Sequence, residues 1–364
     1  MKVLQTLGKI IPPPVYMQLP SIGVDVSDTS LKYIQFQNDN KSGTQLKLSA
    51  WGDIEIPEGA LGRGIVNDGS KLAEAFREMK QRTGVEHVRV SLPEERAYLF
   101  ETQVEHGTSA KDIRGLLEFR LEENVPLSPR DAFFDYDIIG DTRAGDMVRV
   151  TVTAYAKDTV MSYYDACKAA GVVPISFEIE AQAIARATIP NGDTGTHMIV
   201  DFGKTRTGVG IVHQGVLMYT STIDVGGGEL SKAMRVKLGD VPESELTTIK
   251  NTQGLIERNG DSDVRDILVK SMSSIVDELA IRIAYWNTKD VAHFNRQIQS
   301  VILCGGSVNM KGLPSYFTQM LNVDSTRANV WQNAFSLEVA IPEISRRYSF
   351  GYATAIGLAL ASSM

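Results

Sequence analysis

The stretch from His197 to Val212 decides the fold, and it reads His-Met-Ile-Val-Asp-Phe-Gly-Lys-Thr-Arg-Thr-Gly-Val-Gly-Ile-Val. An apolar run ends at Asp201, and a polar turn then leads into a second apolar run, so the pattern predicts a β-hairpin. Gly203 permits backbone angles that a side chain would forbid, and Thr205 and Thr207 offer hydroxyl groups. Such a turn is suited to bind an oxyanion, and the aspartate is suited to hold a metal-bound water. Taken alone, the stretch is more typical of an ordinary hairpin.

The same pattern occurs a second time near the start of the chain, at 22–36. When this segment is laid on 198–212 without a gap, three pairs of residues coincide: Asp25 with Asp201, Ser27 with Gly203, and Thr29 with Thr205. Internal repetition indicates a duplicated architecture. Two related halves, each with a turn of phosphate size, predict a cleft that holds one polyphosphate from both sides.

Composition narrows the class of protein. The chain has 364 residues, 43% hydrophobic and 22% charged, which is ordinary for a globular protein of about two to three domains. The net charge of −7 argues against nucleic acid as the main partner. The two cysteines, Cys167 and Cys304, and the five scattered histidines form no metal-binding pattern and no disulfide framework. No apolar run approaches the roughly twenty residues of a membrane span, and whether the N-terminal arm lies on a membrane is left open.

The predicted elements divide the chain into six segments. They are a flexible N-terminal arm at 1–20, a first domain at 21–84, an α+β insertion at 85–157, the rest of the first domain at 158–195, a second domain at 196–350, and a C-terminal helix at 351–364. The insertion consists of short strands around one helix, and we call it the inserted subdomain. The triple proline at 12–14 separates the arm from the first strand.

Four turns that follow predicted strands carry the resemblance to a known family. They lie at Asp25, at Asp201, at 226–228 and at 305–306, and the long predicted helix 264–287 precedes the last of them. Together and in this order they resemble the actin-like ATPase superfamily, in which two related domains close on a nucleotide. The resemblance implies an α/β fold, the duplicated two-domain actin-like (ribonuclease H-like) ATPase fold with an inserted α+β subdomain called 1C.

The inserted subdomain resembles that of the FtsA and PilM branch, and the segments 116–126, 134–139, 226–230 and 355–360 are similar to the type IV pilus assembly protein PilM family. FtsA proteins end in a basic amphipathic helix, whereas this chain ends Ala361-Ser362-Ser363-Met364, which favours the PilM family. The resemblance implies a cytoplasmic, ATP-binding component of a type IV pilus assembly platform, or of a related type II secretion or archaellum-like one. Its implied partner is the N-terminal peptide of a PilN-like inner-membrane protein, so the resemblance implies membrane contact only indirectly, through partners. Self-association is left open.

The resemblance also implies the roles of individual residues around ATP (or ADP) and Mg²⁺. Asp25 and Asp201 would face the metal ion, and Asp201 and Glu180 would take the catalytic roles, with Glu180 orienting the attacking water. The phosphates would be held by Ser27, Thr29, Ser30, Lys32, Gly203, Lys204, Thr205 and Thr207. The ribose and adenine would be lined by Gly226, Gly227, Gly305, Gly306 and Ser307, with Glu278 and Arg282 at the edge of the base.

One departure from the family pattern lowers the expected rate of hydrolysis. Ser27 and Asp28 replace small, flexible residues of the first turn, and a second carboxylate there would repel a terminal phosphate. Lys204 and Arg206 are suited to offset that charge, so we expect nucleotide binding with weak ATPase activity at most. Three alternatives stay open: a scaffold that has lost its nucleotide, an FtsA-like cell-division filament protein, and a sugar-kinase-type phosphotransferase, for which no catalytic base is evident.

Overall fold

The computed structural model describes residues 20–38, 46–139, 147–256, 262–289 and 296–361. Its strands are β1 Ser21–Val26, β2 Ser30–Asn38, β3 Leu46–Glu55, β4 Leu61–Gly62, β5 Ile65–Val66, β6 His87–Leu92, β7 Ala97–Glu105, β8 Ala132–Ile139, β9 Met147–Ala156, β10 Val173–Ile179, β11 Thr196–Phe202, β12 Thr207–His213, β13 Val216–Ile223, β14 Ser300–Cys304 and β15 Asp324–Arg327. Its helices are α1 Gly69–Thr83, α2 Ala110–Asn124, α3 Lys157–Ala170, α4 Glu180–Thr188, α5 Gly227–Leu238, α6 Glu243–Thr252, α7 Ser262–Lys289, α8 Leu313–Leu321, α9 Arg346–Ser349 and α10 Ala353–Leu360.

Two five-stranded sheets with the same topology form the framework. Their strand orders are β3-β2-β1-β6-β10 and β13-β12-β11-β14-β15. In each sheet an antiparallel hairpin, β1–β2 or β11–β12, pairs on its other side with a parallel strand, β6 or β14. Parallel pairing requires a crossover connection, and helices supply it here. This repeated order confirms the duplicated α/β fold predicted from the two hairpin sequences.

The two hairpin turns also share their local hydrogen bonding. In the first turn the Ser27 N–H donates to the Ser30 carbonyl at 2.9 Å, and in the second the Gly203 N–H donates to the Arg206 carbonyl at 3.0 Å. The strand registers agree as well, since Asp25 lies opposite Lys32 and Asp201 opposite Gly208. Each pair occupies matching positions in the gapless overlay of the two sequences. The internal repeat is therefore structural as well as sequential.

Helices α4 and α10 pack against each other at the join between the halves, and small residues allow their close approach. A Cβ atom at Gly357 would lie 1.7 Å from the carbonyl oxygen of Ala183, and one at Gly23 would lie 2.2 Å from that of Ala355. All eight residues of α10 are buried. The sequence predicts this helix from residue 351, but 350–352 forms a 3-10 turn and the α-helix begins at Ala353.

The inserted subdomain is a three-stranded antiparallel sheet, ordered β7-β9-β8, with helix α2 packed on it. Ser109 precedes this helix, and its Oγ accepts the Asp112 N–H at 3.2 Å, which satisfies one of the free N–H groups of the first turn. Leu117 and Leu121 are fully buried beneath the helix. The polar turn at 140–146 lies outside the described residues, as does the arm at 1–19.

Among the residues that the structure describes, no helix has both the length and the apolar character needed to span a bilayer.

Candidate functional site

A cleft of about 540 Å³ lies between the two hairpin turns. One wall comes from the first hairpin, the turn after β6 and the start of α4, and the other from the second hairpin and the turn after β14. The predicted site residues that line it are Asp25, Ser27, Thr29, Ser30, Lys32, Glu180, Asp201, Gly203, Lys204, Thr205, Gly305 and Gly306. The fold thus brings most of the predicted residues from both halves of the chain into one cavity.

Four of the carboxylates that line this cleft have a raised pKa: Asp25, Glu94, Glu180 and Asp201. Burial raises the pKa of all four, to about 7 for Asp201 and about 8 for Glu94, and moves the pKa of Glu180 well above its ordinary value. Repulsion between them adds to this effect, because Asp25 raises the pKa of Asp201 and Asp201 that of Glu94. A bound cation would take the place of the retained protons.

Small neighbouring residues make room for these carboxylates. A Cβ atom at Gly305 would lie 2.4 Å from Oδ1 of Asp201, and one at Gly208 would lie 2.4 Å from Oε2 of Glu94. That Glu94 oxygen is buried and has no hydrogen-bond partner. A buried acceptor without a donor is costly, so the cleft favours a ligand that supplies a proton or a positive charge.

Three cations balance part of this negative charge. Lys32 lines the cleft, where its Nζ donates to Ser30 Oγ at 2.6 Å. Lys204 lies at the tip of the second turn and is exposed. Arg206 forms ion pairs with Asp28 of the first turn and with Glu95 of the turn after β6. The carboxylate expected to repel a phosphate is therefore neutralised from the opposite wall.

Thr207 is a correction to the predicted phosphate site. Its side chain is fully buried, and its hydroxyl donates to the backbone carbonyl of Val225 at 2.7 Å. Thr207 is the first residue of β12 and directs its hydroxyl away from the cleft, while Thr205 lies in the turn before the strand and lines the cleft. The hydroxyl of Thr207 anchors the segment that leads into α5.

Glu278 and Arg282 are a second correction. They line a separate depression beside β13, formed with Asp224 and Asp277 among others, and not the cleft. The Arg282 Nη1 forms an ion pair with Glu278, and its Nε donates to Ser221 Oγ at 2.7 Å. The pair is thus a helix-surface ion pair with one tertiary hydrogen bond, and we withdraw it from the predicted adenine contacts.

Three predicted nucleotide contacts do not line the cleft and instead pack against the backbone of the second turn: Gly226, Gly227 and Ser307. The Gly227 N–H and the Ser307 hydroxyl each donate to the Gly203 carbonyl, at 3.0 Å. A Cβ atom at Gly226 would lie 2.5 Å from the Lys204 carbonyl oxygen. These residues fix the backbone of the turn that the sequence assigns to the phosphates.

Sequence reasoning missed two buried charged residues near the cleft. Glu94 follows a proline in a charged stretch, a pattern typical of an exposed turn, although the residue is 3% exposed. Lys250 on α6 donates to the Gly227 carbonyl at 3.1 Å and to Ser231 Oγ at 2.6 Å, and burial lowers its pKa. The signal for Lys250 is Glu243, seven residues earlier on α6, a spacing that puts both on the same face of a helix.

The cleft suits a hydrated divalent cation held with a polyphosphate. Among the described residues, no group of three or more His, Cys, Asp or Glu side chains is arranged to hold a metal ion directly. Mg²⁺ usually keeps several waters and takes one or two carboxylates plus phosphate oxygens, which is the set that Asp25, Asp201 and a phosphate chain would supply. The turn amides and the cations would meet the phosphates.

Comparisons with known proteins first identify the fold. It is that of the actin-like ATPases: the structure matches the ethanolamine utilization protein EutJ from Carboxydothermus hydrogenoformans at 15% identity and a TM-score of 0.52, covering 96% of this chain and 90% of that one. It also matches MreB5 of Spiroplasma citri bound to ADP at 13% identity and a TM-score of 0.50, covering 86% and 93%.

The particular family follows from the sequence. A family model described as type IV pilus assembly protein PilM matches residues 23–363, so the chain belongs to the PilM family. A solved structure titled "PilM-PilN type IV pilus biogenesis complex" agrees in fold, with 19% identity and a TM-score of 0.75 over 95% of this chain and 99% of that one.

Proposed function

We propose that this actin-like component of the type IV pilus machinery binds ATP with Mg²⁺ in the cleft between its two hairpin turns. The observation that carries the proposal is the meeting of Asp25 and Asp201, from matching positions of the two repeats, in one cavity with Lys32 and Lys204. The MreB5 structure bound to ADP supports a nucleotide for a chain of this fold. The buried, partnerless oxygen of Glu94 gives a further reason for a cation there.

Hydrolysis at this site would be slow. Glu180, the first residue of α4, lines the cleft, and we assign it the role of orienting the attacking water. Burial and the neighbouring Asp25 raise the pKa of Glu180 well above its ordinary value, which disfavours the carboxylate form that could accept a proton from the water. We therefore propose a nucleotide-dependent conformational change as the main use of ATP.

Saturable binding of a fluorescent ATP analogue tests the nucleotide proposal. With protein freed of copurified nucleotide, we expect one site per chain, dependence on Mg²⁺, and displacement by unlabelled ATP. The Arg282→Ala variant is the control, because Arg282 lies outside the cleft, and it should bind like the wild type. If the analogue binds but neither ATP nor Mg²⁺ affects it, the label and not the nucleotide is recognised, and the proposal is wrong.

We further propose that the inserted subdomain binds the N-terminal peptide of a PilN-like inner-membrane protein, which would hold the chain at the cytoplasmic face of that membrane. The match to the PilM-PilN complex supports this class of partner. The subdomain offers an edge strand, β8, with the exposed side chains Phe133 and Ile138, and the exposed Leu116 and Phe119 on α2. An extended peptide can add to such an edge and place apolar side chains beside it.

Replacing Phe119 by aspartate should weaken peptide binding by about tenfold or more, because the side chain is 71% exposed and would supply apolar contact area. The measurement is fluorescence anisotropy of a labelled PilN N-terminal peptide from the same genome, with an expected dissociation constant on the order of micromolar. Val236→Asp is the matched control, since Val236 is a 90% exposed apolar residue on α5 of the second domain. Equal losses in both variants would contradict a site on the inserted subdomain.

A further inference from the structure

Arg206 joins three parts of the molecule across the cleft. It lies in the second hairpin turn, and its two Nη atoms form separate ion pairs with Asp28 of the first turn and with Glu95. The three side chains keep only 20%, 15% and 17% of their surface exposed. Among the described ion pairs, the two made by Arg206 are those that link the second hairpin turn to the first domain across the cleft.

Glu95 occupies the joint between the first domain and the inserted subdomain. It belongs to the single 3-10 turn Glu94–Arg96, which connects β6 to β7, the first strand of the subdomain. The hydroxyl of Tyr155, on β9, donates to the carbonyls of Leu92 and Pro93 at 3.4 and 3.3 Å and ties the subdomain to this turn. Glu95 therefore lies in the segment that joins the first domain to the proposed partner-binding subdomain.

Glu95 has other cations within its surroundings. A second depression, lined by Arg63, Arg96, Asp224 and neighbouring residues, lies on its other side, and Glu95 and Arg206 line both that depression and the cleft. The two residues, with Glu94 and Thr222, thus lie between the two spaces. If Arg206 turns to another anion, Arg96 lies in the same depression as a replacement cation for Glu95, while Arg63 already pairs with Asp224 at 3.3 Å.

We propose that Arg206 senses the terminal phosphate of a nucleoside triphosphate, and that Asp28 and Glu95 hold it across the cleft when that phosphate is absent. The inference rests on the proposed nucleotide site. A guanidinium pairs with phosphate in the same two-pronged geometry as with carboxylate, and the terminal phosphate offers more charge than either acid. A diphosphate lacks this group and leaves the pairs in place, while a triphosphate releases Glu95 and loosens the joint.

Titrations of ATP and ADP against three proteins test the proposal. In the wild type we expect tighter binding of ATP. Arg206→Ala should lose about tenfold or more in ATP affinity and much less in ADP affinity, since one charge-assisted contact to the third phosphate disappears. Asp28→Asn should gain several-fold for ATP, because the phosphate no longer competes with that carboxylate. A purely structural role of Arg206 would weaken both nucleotides equally, and that result would overturn the proposal.

Hydrogen exchange at 94–97 gives a readout that separates this inference from the nucleotide site itself. The turn should exchange faster with a non-hydrolysable ATP analogue than with ADP, and Arg206→Ala should show the faster exchange without any nucleotide. Unchanged exchange in the nucleotide-free variant would overturn the sensor even if ATP binds. Absence of binding of both nucleotides to the wild type would instead overturn the proposed function, and the sensor with it.

Discussion

Replacing Gly357 by alanine is expected to destabilise the folded chain by about 3 kcal/mol or more. The added Cβ atom would lie 1.7 Å from the backbone carbonyl oxygen of Ala183, and neither atom is the end of a flexible side chain. Helix α10 would have to move away from α4, which would also disturb the 2.9 Å hydrogen bond from Arg186 Nη1 to the Gly357 carbonyl. Urea denaturation followed by circular dichroism measures the change.

Gly115→Ala is the matched control for this prediction. Gly115 is also a helical glycine, on α2, but a Cβ atom there would meet nothing within 4 Å. Alanine should stabilise that helix by about 0.5–1 kcal/mol, because glycine is the poorer helix former. If the two variants changed the free energy of unfolding alike, the close helix packing described between the halves would be wrong.

Replacing Asp201 by asparagine is expected to weaken Mg²⁺-ATP binding by about a hundredfold or more and to remove most of its dependence on Mg²⁺. Asp201 is one of the two aspartates that would face the metal ion, and an amide offers the water ligands a weaker, uncharged acceptor. The folded metal-free protein should keep its stability, because burial raises the pKa of the Asp201 carboxyl to about 7 and disfavours its charged form. Equilibrium binding with and without Mg²⁺, beside a thermal unfolding curve, separates the two effects.

Glu278→Gln serves as the control for Asp201→Asn, since Glu278 lies on the depression beside β13 and not on the cleft. It should bind Mg²⁺-ATP like the wild type. Full retention of magnesium-dependent binding by Asp201→Asn would contradict the position assigned to the metal ion.

The sequence predicts the two hairpins, and that their turns face one cleft, because the hairpin motif is short and occurs twice in the chain. Strand alternation, a carboxylate and a turn suffice to place Asp25 and Asp201 at equivalent positions of the two repeats. Equivalent positions of two duplicated domains are expected to face the same cleft. The prediction that Thr207 binds the phosphates was wrong. The residue at which β12 begins decides which hydroxyl faces the cleft, and a sequence specifies strand boundaries poorly. The prediction that Glu278 and Arg282 contact the adenine was wrong. Helical spacing predicts that the two side chains contact each other, but it does not predict which part of the protein the helix packs against.

The contacts across the cleft lie beyond the reach of the sequence pattern. The pairing of Arg206 with Asp28 and Glu95 joins residues about 180 and 110 positions apart, and their meeting depends on how far the two halves close. Glu94 lies in a Pro-Glu-Glu-Arg turn that reads as solvent-exposed, yet the second domain covers it at Gly208. Such long-range burial follows from the packing of the domains and not from any window of the chain.

Isothermal titration calorimetry of nucleotide-free protein with unlabelled ATP, with and without Mg²⁺, tests the central claim most directly. A cleft in which Asp25 and Asp201 share a hydrated cation with a polyphosphate predicts a saturable isotherm with one site per chain, much tighter in the presence of Mg²⁺. No heat of binding from folded protein at either condition would contradict the claim and favour a scaffold that has lost its nucleotide.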